Sequence, residues 1–177
     1  EKGKNQVFEL ARSRIVTGVR KLYSSSMKEA LATSGILRKE FDTPVDVKDC
    51  LNEVSLAKTR PTYKEMSEIL PEMWEDSSRA PKKGESILAA QKRIGECLTS
   101  IAKRNSDDSV AIILHPIVCL LFDNLVCGGE TTPEDWLGFG YASCATYEYS
   151  KDGWVLVMPF DNSFLSDPSS VSDTLHS

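Results

Sequence analysis

The sequence predicts an α/β domain with a mixed, mostly parallel sheet flanked by helices. Three observations predict it. Short aliphatic runs alternate with segments of helical period, the pattern of parallel strands separated by helices. Val110–Leu114 is aliphatic apart from one alanine, which fits a strand covered on both faces. Near the end, two strand-like stretches meet across Asp152-Gly153, a good hairpin signal.

The elements follow in order. Glu1–Arg14 reads as a helix that buries Val7, Phe8, Leu10 and Ala11. Val19–Ser24 reads as a strand. Ser26-Met27-Lys28-Glu29 has the form of a capping box, so a helix opens there and runs through Ile36-Leu37. Pro44–Leu51 is extended and leads into Asn52 and Glu53. A second capping box, Thr62–Glu65, starts a helix to about Leu70, and Pro71–Lys83 reads as a polar loop. Gly84-Glu85-Ser86 opens the longest helix, to about Arg104, whose stripe Ile87, Ala90, Ile94, Leu98 and Ile101 forms one buried face. The central strand Val110–Leu114 then runs into His115 and Pro116, and proline suits the first position of the next helix. Thr132-Pro133-Glu134-Asp135 starts a short helix. Ser143–Tyr149 and Trp154–Phe160 are the hairpin strands. One domain is expected over residues 1–165, with residues 166–177 as a mobile, serine-rich tail.

Composition excludes several function classes. The 177 residues carry a net charge of −5 and no long basic run, so nucleic acid is not an expected partner. No apolar run approaches the ~18 residues of a membrane span. Five scattered cysteines without a CxxC pair argue against zinc and for reduced, buried thiols, which points to an intracellular site. No metal or cofactor is expected.

The candidate site lies where strands end, because ligands of such sheets bind beyond the carboxyl ends of the strands. Ser24, Ser25, Glu53 and His115 all fall there. His115 stands at a helix start, whose unpaired N–H groups and dipole favour an anion. It fits either a phosphate contact or a turn histidine that only begins a helix.

Several segments resemble the histidine phosphatase superfamily, with its phosphoglycerate mutase-like three-layer fold. They are Glu1–Gln6, Tyr23–Thr33, Leu51-Asn52-Glu53, Gly84-Glu85-Ser86 with Arg93, Leu114-His115, and the terminal hairpin with Asp161-Asn162 and Leu165. The resemblance implies phosphomonoester chemistry through a phosphohistidine, with Glu53 as proton donor, His115 contacting the phosphate and Ser24 or Ser25 hydrogen-bonding it. A solvated loop role for Glu53 and a helix-start role for the serines stay open. The family's Arg-His nucleophile motif is not found, since the histidines here are His115 and His176. The first strand of the fold is therefore expected from an N-terminal extension or a partner chain. Glu29 stands where the family places a phosphate-clamping arginine; a carboxylate there repels the anion unless it is spent on the capping box. Two readings follow. One is a degenerate domain kept as a binding or scaffold subunit, which Glu29 favours. The other is an active phosphatase whose nucleophile lies on the missing segment, which Glu53 and His115 favour. A phosphate-moving mutase is the third and weakest reading.

Overall fold

In a computed structural model, residues 1–56 and 62–175 are described. Helix α1 (Lys2–Arg12) precedes strand β1 (Val19–Ser24), helix α2 (Lys28–Phe41) and strand β2 (Val45–Val47). A 3-10 turn at Asp49–Leu51 follows. Next come α3 (Tyr63–Glu75), α4 (Ile87–Arg104), β3 (Ser109–Ile113), α5 (Pro116–Cys127) and α6 (Pro133–Gly138). The hairpin β4 (Cys144–Ser150) and β5 (Gly153–Asp161) and the short α7 (Val171–Leu175) complete it.

β1 lies between β2 and β3 and pairs with both in parallel. Side-chain alternation sends successive residues to opposite faces. Leu22 therefore joins Val7 of α1 and Leu37 of α2, while Tyr23 joins the larger core of α3, α4, α5 and α6. The α4 stripe read from the sequence is buried throughout. β4 and β5 pair antiparallel in a separate two-stranded sheet. Gly153 sits at φ +105 in their turn, a conformation in which a Cβ is strained.

A slot of about 1110 Å³ separates the two sheets. β3 and β4 form its sides; α1 and α2 wall one face, and α4 and α5 the other. This explains the departure at the central strand. β3 is apolar on both faces, with Ala111 and Ile113 toward α1 and α2, and Val110 and Ile112 toward the main core. Yet these residues are only half-buried, because among the described residues no strand is hydrogen-bonded to the edge of β3 away from β1.

Five other expectations are corrected. The N-cap of α2 is Met27, without a side-chain cap bond, because the Ser26 hydroxyl is drawn to Asn52 instead. α3 continues through Pro71 to Glu75; burial of Met73 and packing of Trp74 in the core outweigh the lost helix bond. The cysteines are not all free thiols. Cys50 and Cys97 form a disulfide with Cα atoms 6.0 Å apart, a pairing of distant segments that spacing does not reveal. The segment Pro44–Leu51 is a short strand followed by a 3-10 turn rather than extended throughout. Residues 166–175, read from the sequence as a tail, pack on the domain. Val171 is fully buried, and the Gln6 amide donates to Asp167 O and Ser169 Oγ. His176 lies outside the described residues.

Candidate active site

The three parallel strands end at one place and deliver the site. β1 ends at Ser24 and leads to Ser25; the turn after β2 leads to Asn52 and Glu53; β3 leads to His115. Ser24 is fully buried, and its hydroxyl donates to the carbonyl of Ser25, so it shapes the backbone. Ser25 is the connector. Its Oγ lies 2.8 Å from His115 Nε2 and 2.7 Å from Asn52 Oδ1, and it accepts from Met27 N–H at 3.1 Å. His115 is nearly buried and is the N-cap residue of α5, with Pro116 in the first turn.

The N-terminus of α5 holds a carboxyl group, and it is that of Glu53. Its carboxylate accepts from Ile117 N–H at 3.0 Å and Val118 N–H at 3.1 Å, two donors that the helix itself leaves unpaired. It also accepts from its own neighbour, Val54 N–H. Burial pushes the Glu53 pKa up to about 7, against the opposite pull of these three donors and of Arg93. The helix pole that the sequence marks as an anion site is thus taken by a side chain of the chain itself.

The loop bearing Asn52 and Glu53 is tethered to α4 twice. Arg93 Nη1 donates to Cys50 O and Asn52 O, both at 2.9 Å, while its guanidinium also pairs with Glu85. The Cys50–Cys97 bridge adds a covalent tie one helical turn farther on. Gly84 fits the same junction: a Cβ there would stand 2.3 Å from Ser55 O. Asn52 and the disulfide were the parts that sequence reasoning missed. The available signal for Asn52 was its position in a loop between the apolar Leu51 and Val54, where a polar side chain needs partners.

Glu29 is exposed in the first turn of α2 and lines the same slot as His115. Among the described residues no group of three or more His, Cys, Asp or Glu is placed to hold a metal ion. No described helix is long and apolar enough to cross a membrane.

A parallel sheet flanked by helices, with polar residues gathered at its strand ends, matches the phosphoglycerate mutase-like fold. The chain belongs to the histidine phosphatase superfamily, matching its branch 1 over residues 1–162. Solved structures similar to it include Bacillus stearothermophilus YhfR, at 21% identity and TM-score 0.75, covering 89% of this chain and 82% of that one. A phosphoserine phosphatase variant from Entamoeba histolytica, solved with phosphoserine, gives 21% identity and TM-score 0.72, covering 91% and 82%. A mycobacterial glucosyl-3-phosphoglycerate phosphatase gives 18% identity and TM-score 0.65, covering 88% and 84%. No curated protein matches the sequence.

Proposed function

We propose that this histidine phosphatase domain serves as a binding or scaffold subunit with little or no turnover. A β-strand fills the slot between β3 and β4, supplied by an N-terminal extension or by a partner chain. The observation that carries the reading is Glu29: a carboxylate lines the slot that His115 also lines, at the position where the family resemblance implies a phosphate-clamping guanidinium. Two further features support it. The donors at the start of α5 are spent on Glu53, and Nε2 of His115 is engaged with Ser25. A phosphate or phosphomonoester would bind weakly here, beside His115 and Ser25. The apolar slot supports the strand, because helices cover both faces and the edge of β3 offers unpaired backbone groups.

One observation favours the second reading, an active phosphomonoester phosphatase. A carboxyl with a pKa of about 7 still carries a proton near neutrality, as a general acid for a leaving oxygen must. The slot strand would then bring the nucleophilic histidine, and Glu53 would protonate the leaving group.

Incubation of the full-length protein with a labelled phosphomonoester separates the two. The scaffold reading expects no acid-labile, alkali-stable protein label. Label that persists in His115→Ala establishes the phosphatase reading with a nucleophile elsewhere. Label abolished by His115→Ala assigns the nucleophile to His115 and overturns the role given to it.

A further inference from the structure

We infer that Asn52 is a positioning residue that holds a proton on Nε2 of His115, acting through Ser25. The inference concerns the site described above and stands with or without turnover. It follows from counting protons. The Ser26 backbone N–H, which has only a proton to offer, points at Asn52 Oδ1 from 3.0 Å. The atom facing it is therefore the amide oxygen and not the amide nitrogen. That oxygen has no proton to donate. Ser25 Oγ, 2.7 Å away, must donate its single hydrogen to it. Ser26 Oγ also reaches this oxygen, at 3.1 Å, but is the longest of the three contacts and belongs to a partly exposed residue.

With its proton committed, Ser25 Oγ is left as an acceptor. One lone pair takes Met27 N–H at 3.1 Å. The other faces His115 Nε2 at 2.8 Å, so the hydrogen in that contact sits on the imidazole. A neutral His115 is thereby held as the Nε2–H tautomer, and a charged one keeps the same bond. The chemical consequence is directional. While Asn52 holds Ser25, Nε2 of His115 has no lone pair with which to take a proton or attack phosphorus.

The test reads ring protonation directly, by two-bond proton–nitrogen NMR of the 15N-labelled full-length protein. The His115 signals are those lost in His115→Gln. In the wild type above the ring's titration, Nε2 is expected in the protonated range. In Asn52→Ala the Ser25 hydrogen is released, and Nε2 is expected to shift toward the unprotonated range. In Asn52→Asp the acceptor oxygen remains, and Nε2 stays protonated. An unprotonated Nε2 in the wild type overturns the inference, as does full Nε2 protonation retained in Asn52→Ala. If Asn52→Ala does not fold, the wild type and Asn52→Asp decide: a protonated Nε2 in both supports the inference, and its loss in either overturns it.

Discussion

β1 and β3 are neighbours in one parallel ladder, yet they live in different surroundings. β1 has a strand on each side, and Leu22, Tyr23 and Ser24 are buried. β3 has β1 on one side and the slot on the other, and Val110, Ala111, Ile112 and Ile113 remain half-exposed. Both strands send apolar side chains into the same two helix layers. What differs is backbone pairing. Helices can cover the faces of a sheet, but only another strand satisfies the N–H and C=O groups of its edge. The comparison places the slot beside β3, and the candidate site lies at the carboxyl end of that strand.

The largest expected effect comes from making β3 resemble β1. A strand that buries four aliphatic side chains in the slot contributes on the order of 6–12 kcal/mol, at ~1.5–3 each. Whole domains are stable by only ~5–15 kcal/mol. The 177-residue chain without such a strand is therefore expected to unfold at low denaturant and with poor cooperativity. A sharp, high-temperature melt of that chain alone would remove the need for a strand in the slot.

The next effect is on the paired side of the sheet, where the loop after β2 is held covalently. The Cys50–Cys97 bridge closes a loop with a sequence separation of 47. Loop-closure entropy assigns such a bridge about 4 kcal/mol. Cys97→Ser is expected to lower unfolding stability by roughly that amount, as read by urea titration. An unchanged midpoint with and without reductant would show that the bridge does not form.

Glu53 links the two sides, since it leaves the loop after β2 and caps the helix that follows β3. Burial raises its folded pKa from 4.5 to about 7. Between those values the folded protein holds a proton that the unfolded chain has lost. This contribution therefore makes stability fall as pH rises through the window and level off above it, by on the order of 3 kcal/mol in total. Glu53→Gln, which cannot titrate, is expected to lose this slope. Denaturation midpoints at several pH values, compared between the two proteins, check it.

The smallest effect is at Glu29, on the slot wall. Glu29→Arg places a guanidinium at this position and is expected to tighten vanadate or phosphate binding by ~1.5–3 kcal/mol, the range of a hydrogen bond to a charged group. The titration uses the full-length protein, with His115→Ala as control. Equal binding by wild type and His115→Ala would remove His115 from any anion site.

Much of the fold was legible because periodicity and capping are local signals. β1 coincided with its predicted span, α4 with its apolar stripe, the capping box at Thr62 formed, and a short helix started after Thr132. The misread parts depend on partners far along the chain. Ser26 looks like a cap until Asn52 offers its side chain a different bond. Pro71 looks like a stop until the core claims Met73. At the site, the sequence put His115 at a strand end and helix start, and Glu53 just beyond the segment that follows β2. They did not reveal that Glu53 would itself occupy the α5 pole, or that Ser25 joins Asn52 to His115. Those are contacts between the ends of three different strands, and no spacing in the sequence encodes them.

The slot is the central claim, and amide hydrogen exchange on the full-length protein tests it most directly. The β3 amides that face away from β1 report on it. If a strand fills the slot, they exchange as slowly as the amides of β1, at the rate of global unfolding. If those amides exchange rapidly while β1 stays protected, β3 is a true edge and the account of the slot is contradicted.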